Sequence, residues 1–97
     1  MITLDEIKRK LSRHKGEIKK RYNVKELRVF GSFVRGEEKE TSDIDILVEF
    51  EETPDLLKFI ELERFLEELL GIKVDLVRKK AIRPELKARI LRDSLAI

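Results

Sequence analysis

Apolar positions along the chain change their spacing several times, and each change marks a boundary between elements. Leu4, Ile7, Leu11 and Ile18 recur at helical intervals behind Thr3, with Glu6 at capping-box spacing, so the pattern predicts a first helix from about residue 4 to 21. Tyr22-Asn23 breaks it. Leu27 to Phe30 reads as a short strand ended by Gly31, Ser32 to Arg35 as the start of a short helix closed by Gly36, and Glu37 to Ser42 as a polar loop. Ile44 to Phe50 is β-branched and apolar enough to be a central strand. After turn residues 51–55, Leu56, Phe59, Ile60, Leu62, Phe65, Leu66, Leu69 and Leu70 trace an amphipathic helix that Gly71 closes. Ile72 to Val77 is a third strand. A basic connection, Lys79 to Arg83, leads to Pro84 in the first turn of a last helix ending near Asp93. The order αβαβαβα predicts an α/β fold, a small sheet flanked by helices.

Ninety-seven residues make one domain, 1–97, because a second core does not fit in that length. The chain is 41% hydrophobic, enough for a core, and 43% charged, against roughly 25% in an average soluble chain. Apolar runs reach only two or three residues, so no transmembrane helix is expected, and the acidic start at Asp5-Glu6 lacks the basic and apolar regions of a signal peptide. With no cysteine there is neither a disulfide framework nor a thiolate metal site. The expected compartment is the cytoplasm. The absence of glutamine, the single asparagine (Asn23) and the surplus of Lys, Arg and Glu match the thermophile pattern of ion-pair networks.

Net charge is +2 overall but segregated: residues 1–30 carry +6, residues 31–70 carry −9 and residues 71–97 carry +5. A nucleic-acid binder shows a larger basic excess with interleaved aromatics, and aromatics are only 6% here, so direct nucleic-acid binding is disfavoured. Carboxylates in the middle with cations on both sides suit metal-bound phosphate chemistry better.

Alternation along a strand puts Asp43 and Asp45 on one face and Ile44 and Ile46 on the other. Two adjacent carboxylates resist joint ionisation unless a divalent cation lies between them. Asp75, between Val74 and Leu76, is an acid within an otherwise buried run and calls for a partner; if its strand neighbours the second, it completes an oxygen-rich triad suited to Mg²⁺. Upstream, Gly31-Ser32 places a residue without Cβ and a hydroxyl where a strand gives way to a helix, a place a phosphate can approach, and Arg35 one turn on offers a positive fork. Each feature alone has an ordinary reading, Gly-Ser as a common turn and Ser42-Asp43 as loop. His14, among lysines and arginines, reads as a surface residue rather than a catalyst.

Together the spacing is distinctive. Gly31-Ser32, ten intervening residues, Asp43-Ile44-Asp45, and then Asp75 inside a later strand resemble the signature of the nucleotidyltransferase superfamily that includes DNA polymerase beta. More closely, Gly31-Ser32-Phe33-Val34-Arg35-Gly36, Ser42 to Val48 and Lys73 to Val77 resemble the minimal nucleotidyltransferase (MNT) family, over residues 27 to 93. Phe33 and Val34 stand where that family more often has small or basic residues, a departure expected to touch the rim of the site.

The resemblance implies a mixed sheet, two Mg²⁺ ions held by Asp43, Asp45 and Asp75, the triphosphate held by Gly31 and Ser32, and transfer of AMP from ATP or another NTP. Family members of this size are similar to antitoxins paired with HEPN-domain ribonuclease toxins, some of which receive AMP on a tyrosine. A chain this short has room for a nucleotide pocket but hardly for a second substrate cleft, so another polypeptide should present the acceptor hydroxyl, in a hetero-oligomer or with a homo-oligomer as the acting unit. Candidate contact surfaces are the apolar end Leu91, Leu95, Ile97 and the Leu/Phe-rich helix 56–70, both of which also read as core stripes. The competing reading is a non-catalytic antitoxin that masks its partner by stoichiometric binding.

Overall fold

In the computed structural model, which describes residues 1–97, strands Val24–Phe30 (β1), Ile44–Phe50 (β2), Val74–Arg78 (β3) and Leu95–Ala96 (β4) form one sheet in the order β3-β2-β1-β4. β1 runs antiparallel to β2 and to β4, while β2 and β3 are parallel, so the sheet is mixed. The helices are Leu4–Arg13 (α1), Lys15–Tyr22 (α2), Ser32–Arg35 (α3), Leu56–Leu70 (α4) and Pro84–Arg92 (α5), with a 3₁₀ turn at Lys79–Ala81.

One face of the sheet carries the core. Ile44, Ile46 and Val48 of β2, Leu27 and Val29 of β1, and Val74 and Leu76 of β3 pack with Ile7, Leu11, Ile18 and Tyr22 of α1 and α2 and with Leu62, Leu66 and Leu70 of α4. No polar or charged residue is buried. β2 is paired on both sides, as its continuous apolar run requires. α4 is the crossover that two parallel strands demand, capped by Asp55, whose carboxylate accepts from the Lys58 N–H at 2.7 Å, and ended by Gly71 at φ +70°.

The first helix is two helices. At His14 the backbone leaves helical geometry (φ −102°, ψ 7°), and the His14 ring places Nδ1 3.0 Å from the Lys10 carbonyl oxygen, while Gly16 weakens continuation. His14 is half-buried, edge-on to Phe65 with ring centroids 6.4 Å apart, so it is a packing residue at a bend rather than a free surface residue. Thr3 caps α1 as expected: its hydroxyl oxygen accepts from the Glu6 N–H at 3.2 Å.

β1 begins at Val24, three residues earlier than the apolar pattern predicts, because the ladder to β2 is irregular between Val24 and Glu26 and the alternation is lost there. Residues 95–97 are a second departure. Leu95 lies in β4 opposite Val29, and the Ile97 N–H donates to the Leu27 carbonyl at 3.1 Å with its side chain against the core. These two residues complete the sheet rather than offering a contact surface. Phe33 is another: it is 2% exposed within the core, not at a rim. The charges also fall short of a network, forming five separate pairs with no residue shared.

Leu66 is fully buried under the sheet, whereas Leu57, in the first turn of the same helix, is 68% exposed. Leu66→Ala should therefore cost about 2–5 kcal/mol in urea unfolding and Leu57→Ala no more than about 0.5 kcal/mol.

Candidate active site at the open face of the sheet

The second face is open where the acids stand. Alternation places Asp45, Leu47 and Glu49 of β2 opposite the core side, and register adds Phe30 and Arg28 from β1 and Asp75 and Val77 from β3. Leu47 is buried outside the main core, as is Ile82, in the segment that returns after β3, with Lys79 paired to Glu49 at 3.6 Å. The opposite end of the face stays uncovered and holds Asp45, directly between Phe30 on one neighbour and Asp75 on the other.

Asp45 and Asp75 are thus register partners across the parallel pair β2–β3, as the sequence pattern requires if the strands are neighbours. Partial burial, the charge of Asp75, a shared hydrogen bond with Asp75 and the charge of Asp43 together raise the Asp45 carboxyl to about pKa 6, opposed by Arg35. Asp43 sits just before β2, exposed. Asp75 is also exposed, since β3 is the edge strand and the residues flanking it, Val74 and Leu76, turn into the core. No three His, Cys, Asp or Glu side chains close on a single point, so the expected triad is a pair with a third acid beside it. The donor set fits Mg²⁺: oxygen ligands only, on a face without histidine, with one carboxyl whose ionised form is costly until a cation shares the charge.

Gly31 explains how Asp45 fits. It ends β1 at φ +79° and ψ −151°, a region effectively closed to side chains, and a Cβ there would lie 2.9 Å from Asp45 Cγ and collide with Oδ2. α3 starts immediately after, and the Gly31 carbonyl accepts from the Val34 and Arg35 N–H groups, both at 3.1 Å. Ser32 is half-buried beside this turn with its side chain in no hydrogen bond, while Arg35 Nε donates to Glu37 Oε2 at 3.1 Å. Both members of that ion pair are more than half exposed, so it is worth about 0–1 kcal/mol and yields readily to a stronger anion.

Beside Gly31 runs a groove of about 230 Å³. Phe30, Gly31 and Arg35 form one wall; Leu86, Arg89 and Ile90 of α5, with Asp93 at its C-terminal cap, form the other. No motif in the sequence points to a functional residue on α5. The only available signal is the one-face spacing of Leu86, Ile90 and Asp93, which means nothing until β4 brings that helix against the end of β1. Arg28 Nε donates to Ser94 Oγ at 2.6 Å, which donates to the Leu91 carbonyl at 2.7 Å, tying the end of α5 to the sheet.

The close packing of Gly31 on Asp45 has a measurable cost. Gly31→Ala should destabilise the fold by more than Gly36→Ala, because Gly36 has an equally positive φ of +73° but open space where its Cβ would go. A second change, Asp45→Ala, should recover part of the Gly31→Ala loss in a double-mutant cycle read by urea unfolding. Because the Asp45 pKa is higher folded than unfolded, its contribution is most favourable below the unfolded value of 3.8 and is lost as pH rises through about 6. Asp45→Asn should accordingly raise Tm more at pH 7.5 than at pH 4, and an equal shift at both would contradict the paired geometry.

Comparison with known proteins identifies the family. Residues 11–97 match the family model described as "Nucleotidyltransferase domain". Protein adenylyltransferase MntA of Thermococcus cleftensis is 56% identical over 93 residues, 96% of this chain and 94% of that one. A protein of Methanocaldococcus jannaschii, provisionally named a protein adenylyltransferase, is 62% identical over 82 residues, 84% of this chain and 95% of its own. A solved structure provisionally described as a minimal nucleotidyltransferase superposes with a TM-score of 0.74 at 39% identity, covering 94% of this chain and 93% of that chain. With nearly its whole length thus matched, the chain belongs to the nucleotidyltransferase domain family.

Proposed function

We propose that this nucleotidyltransferase, as a single domain, transfers AMP from ATP to a hydroxyl, that of a tyrosine, on a HEPN-domain ribonuclease toxin and so serves as its antitoxin. The observation that carries the reading is Asp45 facing Asp75 across a parallel strand pair, packed over a glycine that leaves no room for another side chain. A protein that acted only by binding would gain nothing from two carboxylates held at this cost. Relatives more than half identical are named protein adenylyltransferases, which supports a protein as acceptor.

Asp43, Asp45 and Asp75 would together hold Mg²⁺, Asp45 and Asp75 as the facing pair and Asp43 as the acid beside them. When bound, the ions supply charge neutralisation at the attacking and leaving oxygens. The chain's own residues do the rest. Gly31 makes room for the Asp45 carboxylate against the β1–α3 turn, Gly31 and Ser32 would hold the triphosphate, Ser32 through its free hydroxyl, and Arg35 would exchange Glu37 for the phosphates. Phe30 stands opposite Asp45 on the β1 side. No histidine stands on this face, so proton removal from the acceptor falls to the acids or to water.

The test incubates the partner toxin with ATP, Mg²⁺ and either the natural protein or Asp45→Asn, and reads the toxin's intact mass and RNase activity. The expected outcome is a gain of one or more AMP units and lasting inactivation at substoichiometric natural protein, with neither for the variant. Should Asp45→Asn neutralise the toxin equally well, with no mass change in either case, stoichiometric masking replaces catalysis.

A further inference from the structure

The groove between α3 and α5 has a charge pattern that the proposed transfer leaves half used. Arg35 on its α3 wall is already placed with the phosphates. Across from it Arg89 is exposed and makes no ion pair, although Asp93 stands one helical turn further on. Two guanidinium groups against one carboxylate leave the lining net positive. The groove starts at Gly31, the residue packed on Asp45, so a ligand in it is continuous with the carboxylates.

We propose that Arg89 is a second triphosphate-binding residue, which with Arg35 holds the β- and γ-phosphates of the nucleotide and then the departing pyrophosphate. This rests on the AMP-transfer reading and deepens it. In that transfer the acceptor oxygen bonds to the α-phosphorus, and the bond from that phosphorus to the α,β-bridging oxygen breaks. The bridging oxygen keeps the electron pair as part of pyrophosphate, and the hydroxyl proton passes to water. Negative charge therefore grows on the β-phosphate side, where a planar guanidinium fork binds phosphate oxygens best. Leu86 and Ile90 on the same helix line the groove with apolar surface beside Arg89.

α5 is suited to follow a ligand that changes on reaction. None of its residues is buried, and its C-terminal end is anchored through Ser94 and the two-residue β4. Arg89 thus reaches the phosphates from an element not rigidly packed in the core, whereas Arg35 follows directly from the β1–α3 turn.

Calorimetry with ATP and with AMP, each with Mg²⁺, tests the assignment on Arg89→Gln, Asp93→Asn and, as a control elsewhere on α5, Arg92→Gln. Arg89→Gln should weaken ATP binding at least about tenfold and leave AMP binding unchanged, because AMP lacks the β- and γ-phosphates. Asp93→Asn should tighten ATP by removing a like charge, and Arg92→Gln should match the natural protein. Equal losses for ATP and AMP in Arg89→Gln would put the nucleoside in the groove and overturn the proposal. So would unchanged ATP binding in Arg89→Gln beside a large loss in Asp45→Asn, an outcome that leaves the AMP-transfer reading intact. No ATP binding by the natural protein would overturn both.

Discussion

Two carboxylates placed opposite each other on neighbouring strands repel, and the rest of this fold is arranged so that they cannot escape each other. Rotating away is limited for Asp45 by Phe30 on one side and Gly31 beneath. Sliding is barred by the core: a one-residue slip of β3 would drive Asp75 inward and turn Val74 and Leu76 out to water. The electrostatic penalty at the site is thus held in place by hydrophobic burial on the far side of the same sheet. The carboxylate pair lowers the stability of the fold, and the apolar face more than offsets the loss.

The division of the sheet into two faces is largely legible in the sequence. Strict alternation over Ile44-Asp45-Ile46 and Val74-Asp75-Leu76 identifies both which acids share a face and which apolar residues oppose them. Local chemistry also marks the caps at Thr3 and Asp55–Gly71 and the glycine at the end of β1. These signals are local, arising from residues within a few positions of each other.

What the sequence does not reveal depends on contacts between distant parts of the chain. The bend at His14 arises from a ring reaching back to a carbonyl and packing on Phe65, neither visible in a spacing that stays helical from Ile7 through Tyr22. β4 is only two residues long and has no pattern of its own; it exists because Arg28 and Val29 offer an unpaired edge. Phe33 is expected at the rim because it stands where the family more often has a small or basic residue, yet in α3 it is buried in the core. The α5 wall of the groove is hidden for the same reason, since it depends on β4.

Chain order sets the cost of that last dependence. The acids lie at residues 43, 45 and 75, but the strand that docks α5 beside them is made of Leu95 and Ala96, paired to Arg28 and Val29. The groove has two walls only because the end of the chain closes a loop of more than sixty residues back to β1. Losing Leu95 and Ala96 would leave the strands that pair Asp45 with Asp75 in place but remove the ladder that holds the α5 wall against β1.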